Sequence, residues 1–236
     1  MIESRYTISP TGDSAISISF GNTVDEVLNH KVMHLFHFLL EQKPWWVLDV
    51  ILAYASLTVV YDLSAVKSFN GSSAFSFVHH WLQQAVEQVD VKADVVKQVL
   101  PIPVCYHPSL APDLELVAAF AKASIEEVIH LHTSRIYTVY MIGFLPGFAY
   151  MGKVHEQIAA PRLATPRTAV PAGSVGIAGM QTGIYPLPSP GGWNIIGQTP
   201  LVLFNKNGQQ PCCFQPGDKV QFQAISIEEY KAFQQP

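Results

Sequence analysis

Residues 143–200 hold ten of the chain's fifteen glycines and eight of its seventeen prolines. Punctuation at that density leaves no room for a long helix and forces short runs joined by tight turns. The runs are apolar and β-like: IYTVYMIGF from Ile136, GSVGIAG from Gly173, IIGQTPLVLF from Ile195 and DKVQFQAI from Asp218. They predict a β-barrel or sandwich from residue 136 onward. The same tract nearly lacks charge. Between residues 157 and 205 only Arg162 and Arg167 are ionised. A guanidinium cannot shed its proton, so each needs a carboxylate, solvent or an anion from outside. Two readings stand side by side: the arginines await a substrate carboxylate or phosphate, or they pair with distant acids or lie in water.

The first hundred residues have a different rhythm. Residues 15–20 (AISISF) alternate as a half-buried strand does. Thr23 with Glu26 forms a capping box opening a helix whose apolar positions are Val24, Val27, Leu28, Val32, Leu35 and Leu39, ended by Pro44. Residues 47–52 and 57–61 read as strands, and 72–89 as a second helix entered after Asn70-Gly71. That order suits a small ferredoxin-like α+β sandwich. The polar stretch 87–98 is the candidate linker, which divides the chain into residues 1–96, a small α/β domain, and residues 97–236, a barrel domain. Beyond it, residues 99–106 (VLPIPVCY) form a strand that its prolines confine to an edge or a bulge. Residues 113–123 are helical, and Ser124 with Glu127 caps a short helix reaching His130.

With 236 residues, 49% of them hydrophobic and 14% charged, the chain can bury a sizeable core. A net charge of −4 with scattered cations offers no nucleic-acid footprint. No signal peptide opens the sequence, and no apolar run is long enough to span a bilayer, so a cytoplasmic setting without membrane attachment is expected. Cys105, Cys212 and Cys213 match neither metal spacing nor a disulfide framework and read as buried structural thiols. His30, His34 and His37 share one side of the first helix, but nothing beside them completes a zinc set, so no metal is expected.

Candidate site residues gather in the glycine-rich half. Gly143 and Phe144 open a tight turn closed by Gly147 and Phe148, where backbone can approach a ligand or a barrel can turn a corner. Arg162 and Arg167 each follow a proline, and a stiff loop loses less entropy when it binds. Gly173, Ser174 and Gly179 can make an amide nest for an oxyanion, or a glycine-bulged strand. Gln181, Thr182 and Tyr185 can orient an amide ligand that Trp193 walls in. His132 is either a general acid/base near neutrality or a structural histidine.

Three segments, taken in order, resemble a known family. They are HTSRIYTVYMIGFLPGF (132–148), PRLATPRTAVPAGSVGIAGMQTGIYP (161–186) and SPGGWNIIGQTP (189–200). The family is that of the 5-oxoprolinase B subunits, which includes the kinase inhibitor KipI and carries the older label allophanate hydrolase subunit 1. The resemblance implies a small α/β domain followed by a cyclophilin-like β-barrel. It implies a non-autonomous part of an ATP-dependent hydrolase, partnered by a KipA-like C subunit and by an A subunit, that opens 5-oxo-L-proline to L-glutamate. In that setting Arg162 and Arg167 would hold a carboxylate or phosphoryl group, and His132 would move protons. The amides of residues 173–179 would stabilise an oxyanion. The other function it implies is docking on a sensor histidine kinase through Phe144, Leu145, Phe148 and Trp193 to block autophosphorylation. Gln198 stands where the family usually carries arginine.

Overall fold

The structure, a computed structural model, describes residues 6–23, 25–67, 73–89 and 98–233. It divides into two compact units, Met1–Val95 and Val96–Pro236. The first contains β1 (Thr7–Pro10), β2 (Ala15–Ser19), α1 (Glu26–Glu41), β3 (Val47–Leu52), β4 (Ser56–Tyr61), α2 (Leu63–Lys67) and α3 (Ala74–Gln88). Its sheet runs in the order β1-β2-β4-β3 with every pair antiparallel. Period-two alternation sends Ile16, Ile18, Leu57, Val59 and Tyr61 into the core. Ser17 and Thr58 point the other way and bond hydroxyl to hydroxyl at 2.7 Å. Onto the apolar face α1 brings Val32, Leu35 and Leu39, and α3 brings Val78 and Leu82.

Two details depart from expectation. Helix α1 begins on Asp25, whose carboxylate accepts the Leu28 N–H at 3.0 Å, and not on Thr23; a charged acceptor also favours the positive end of the helix dipole. A ferredoxin-like sandwich would place its last strand after the second helix. Here β1, from before the first helix, occupies that edge of the sheet. The Asn70-Gly71 entry to α3 and the linker segment 90–97 lie outside the described residues; α3 itself starts on Ser73, whose hydroxyl accepts the Ser76 N–H.

The second unit contains β5 (Val99–Cys105), α4 (Leu114–Ala121), α5 (Ile125–Thr133), β6 (Ile136–Ile142), β7 (Ala149–Gly152), β8 (Arg167–Val170) and β9 (Ser174–Ala178). It continues with β10 (Gln181–Ile184), β11 (Ser189–Gly191), β12 (Asn194–Gln198), β13 (Lys219–Ile225) and α6 (Ile227–Phe233). Seven strands close a barrel in the order β10-β7-β6-β13-β5-β12-β9, while β8 and β11 pair apart from it. Prolines did not push β5 to an edge. It lies between β13, which it pairs in parallel over its whole length, and β12, which it meets only at Cys105. Before Cys105 its β12 side is nearly unpaired, so the strand can hold Pro101 and Pro103 without being at an edge. The thiols differ from the expectation: all are free, but only Cys105 is buried, Cys212 is half-buried and Cys213 exposed.

Candidate functional site

Beside the main barrel core sits a second cluster of Phe148, Val170, Ala178, Tyr185, Trp193 and Ile195, with Leu145 and Tyr150 packed on it. Its rings meet edge to face, Phe148 with Trp193 at 5.4 Å and with Tyr185 at 5.1 Å, the arrangement their quadrupoles favour. The glycines of the tract make this cluster possible. A Cβ on Gly183 would stand 3.1 Å from Trp193 and 3.3 Å from Phe148. One on Gly176 would stand 3.1 Å from the Trp193 Cβ, and one on Gly191 would run into the Tyr185 ring. Gly191→Ala is therefore expected to lower stability by about 2 kcal/mol, because the Tyr185 ring, 1% exposed, has nowhere to retreat; thermal unfolding measures it.

On this cluster rests Arg162, its guanidinium carbon 6.0 Å from the centre of the Trp193 ring. The loop that carries it is tied on both sides: Asn194 Nδ2 donates to the Pro161 carbonyl at 2.8 Å, and Leu163 N–H donates to the Gly192 carbonyl at 2.8 Å. The side chain is exposed, and among the described residues no carboxylate pairs with it. Here, among the described residues, the expectation of an arginine without a counterion holds.

For Arg167 it fails. Arg167 Nη2 donates to Asp113 Oδ1 at 2.6 Å, across 54 residues, while Asp113 Oδ2 accepts the Ile195 N–H at 2.7 Å. Arg167 is thus a paired cation that ties β8 to the start of α4. Its Nη1 is buried without a hydrogen-bond partner. Both guanidiniums nevertheless act on Tyr185: burial pushes its phenol up, and the Trp193 backbone, Arg162 and Arg167 pull it back down.

His132 does not join this group. It lies in the last turn of α5, fully buried inside the barrel unit, stacked on Phe222 at 4.4 Å. The Thr182 hydroxyl donates to the Gly176 carbonyl at 3.0 Å, so it accepts from His132 Nε2–H, also at 3.0 Å. Nδ1 then accepts the Tyr106 hydroxyl at 2.7 Å. Both ring nitrogens are satisfied internally, and burial pushes the imidazole from its ordinary 6.5 down to about 3. A neutral ring with no solvent contact cannot relay protons to a ligand, so the acid/base reading of His132 is corrected to a structural one, and Thr182 goes with it.

The amide nest fails for a similar reason. Gly173 N–H donates to Tyr185 O at 2.7 Å, Ser174 N–H to Pro171 O at 3.3 Å and Gly179 N–H to Ala160 O at 2.7 Å. Residues 174–178 are the barrel strand β9, paired on both sides, and Gly173 (φ 81°) and Gly179 (φ 58°) are its turns. Gln181 begins β10, half-buried and paired with Gly152 and Ala178. In the 143–148 turn, Gly143 N–H donates to Phe148 O at 3.1 Å. Phe144 stands 61% exposed at φ 70°, a left-handed conformation unusual for an aromatic residue. Phe148 and Trp193 are buried, which removes them as docking anchors and leaves Phe144 and half-buried Leu145. Gln198 donates from Nε2 to the Ala172 carbonyl at 2.6 Å. Among the described residues no group of three or more His, Cys, Asp or Glu could hold a metal, and no helix is long and apolar enough to cross a membrane.

Sequence reasoning missed Asp113 and Tyr150. Asp113 read as the first residue of a helix, and no local pattern announces its burial beside Ile195. Tyr150, in β7, packs on the cluster with its ring 4.7 Å from Phe148, two residues away in the sequence.

Residues 6–214 match the family described as carboxyltransferase domain, subdomain C and D. The chain is 42% identical to the 5-oxoprolinase B subunit of Bacillus subtilis over 98% of both chains. It is 44% identical to the 5-oxoprolinase B subunit of Haemophilus influenzae over 77% of this chain and 81% of that one. Among solved structures, TTHA0988 superposes with a TM-score of 0.77 at 33% identity, covering 90% of this chain, which spans 40% of that one.

Proposed function

The chain belongs to the carboxyltransferase subdomain C and D family that includes the B subunits of 5-oxoprolinase, and on that premise we propose that it is the B subunit of an ATP-dependent 5-oxoprolinase. With the C and A subunits, in the cytoplasm, it opens 5-oxo-L-proline to L-glutamate and is inactive alone; its barrel is of the cyclophilin-like kind. The observation that carries this reading is Arg162, a preorganised cation held over Trp193 with no carboxylate of its own among the described residues. A guanidinium fork on a tied loop suits a substrate carboxylate, because the loop backbone loses little further entropy on binding.

ATP chemistry is assigned to the assembly and not to these residues. The amides best placed by sequence for phosphate, those of Gly173, Ser174 and Gly179, already donate within the barrel. Phe144, exposed beside the aromatic cluster and 5.6 Å from Phe148, suits contact with the KipA-like C subunit.

The test is reconstitution with the A and C subunits, following ATP-dependent glutamate formation. Arg162→Ala is expected to lower kcat/KM for 5-oxo-L-proline by about tenfold, the worth of one charge-assisted contact. Arg162→Lys is expected to recover only part, since an ammonium lacks the bidentate fork. Wild-type kcat/KM in the alanine variant would remove Arg162 from substrate recognition.

A further inference from the structure

The four-stranded sheet of the first unit has two edges, and they differ. Edge β1 is four residues long, ends on Pro10 and exposes Thr7 and Ser9, all of which discourage an added strand. Edge β3 has none of these features. Its six residues, VLDVIL, include no glycine or proline, three β-branched side chains and one charge, and they expose Leu48 (57%) and Ile51 (51%). A segment of that composition on a sheet edge is a template for another strand, and the partner always at hand is a second copy of itself.

The ladder shows which backbone groups such a strand needs. Ala53 N–H donates to Ser56 O at 2.9 Å, so residue 53 faces β4, and by alternation Ile51 does too. Val50 and Leu52 then point their N–H and C=O groups away from β4. In an antiparallel pairing of two copies about a two-fold at Val50, each Val50 N–H would donate to the other Val50 carbonyl. Each Leu52 N–H would donate to the other Leu48 carbonyl. Two of these groups are already taken. The Asp49 carboxylate accepts the Val50 N–H at 2.8 Å, and Lys43 Nζ donates to the Leu48 carbonyl at 2.8 Å. Both capping residues are charged and exposed, and both bonds must break before a strand can approach.

We propose that Lys43 and Asp49 guard the free edge of β3, occupying the two backbone groups through which a second copy of this chain would pair with it. The edge stays open to water and closed to strand addition.

The experiment uses the full chain. Lys43→Met/Asp49→Ala removes both caps at exposed positions, whereas Lys43→Arg/Asp49→Asn keeps a donor and an acceptor in place. Sedimentation velocity is expected to show the first variant self-associating with a Kd about tenfold below that of wild type, and the second within about twofold of it. Amide hydrogen exchange reads the same event locally. The Leu52 amide is expected to slow with rising protein concentration in the first variant and to stay constant in wild type. In wild type the capped Val50 amide is expected to exchange about tenfold more slowly than that of Leu52. An uncapped variant that associates no more than wild type, or a wild-type Leu52 amide that slows with concentration, overturns the guard. Equal exchange of Val50 and Leu52 in wild type overturns it whether or not the uncapped variant folds.

Discussion

Asp113→Ala is expected to lower the unfolding free energy by about 3 kcal/mol, and the melting temperature of the barrel unit by about 10 °C. One carboxylate satisfies two separate donors. Its Oδ1 accepts Arg167 Nη2 and its Oδ2 accepts the Ile195 N–H, with the Asp113 side chain 7% exposed. Alanine leaves a backbone donor buried without an acceptor beside a guanidinium whose other nitrogen, Nη1, already lacks one. Asp113→Asn keeps a carbonyl for one of the two donors and loses the charge, so it is expected to cost about half as much. The Asp113→Ala/Arg167→Ala double variant is expected to be more stable than Asp113→Ala alone, because it removes the stranded cation. Calorimetric melting of the set decides the matter. An Asp113→Ala variant within about 0.5 kcal/mol of wild type would mean that the Arg167 pair does not hold the structure.

Acid is expected to destabilise the protein through His132, by about 2 kcal/mol at pH 5 and about 3 kcal/mol at pH 4. The direction follows from the buried ring. In the folded chain it stays neutral until about pH 3, whereas an unfolded histidine takes up a proton near 6.5. Between those values the unfolded state holds one proton more, so stability is complete above 6.5 and falls as pH drops. The test is urea unfolding of wild type and His132→Gln at a series of pH values. Glutamine offers one donor and one acceptor to the Tyr106 and Thr182 hydroxyls but cannot titrate. Its baseline is expected to be lower and its slope shallower by close to one proton across the window. Equal slopes would show that His132 is not held neutral. The other histidines are common to both proteins and cancel in the comparison.

Much of the fold was legible because it is written at short range. AISISF alternates with period two, and β2 buries Ile16 and Ile18 as that alternation requires. Ser124 and Glu127 announced a helix start, and the Ser124 hydroxyl accepts the Glu127 N–H at 3.1 Å. Gly and Pro spacing announced short strands from residue 136 on, and those strands close a barrel. The same local logic misplaced the start of α1, because Asp25 competed with Thr23 for the cap and one pattern could not rank two acceptors. Pro101 and Pro103 suggested an edge strand, since nothing local shows that a neighbouring strand will turn away after one residue.

The site was legible only in part. A tract with two arginines and no acid suggested that both lack a counterion; the structure pairs Arg167 with Asp113 and, among the described residues, gives Arg162 no carboxylate. The difference is one carboxylate, Asp113, at the start of α4, and charge pairing across 54 residues depends on tertiary packing, not on any window of sequence. Of the glycines that resembled a phosphate-binding nest, Gly176 makes room for Trp193, and Gly173 lets the chain pass close to the Thr199 backbone. By itself, then, the sequence determined what depends on neighbours along the chain: strand periods, helix caps, turns, and a glycine-rich half poor in charge. Only the tertiary structure decided which arginine is neutralised, which histidine is sealed in and which aromatic rings share a surface with a cation. Backbone propensity acts over a few bonds, whereas ion pairing, desolvation and ring packing act through space, between residues that become neighbours only when the barrel closes.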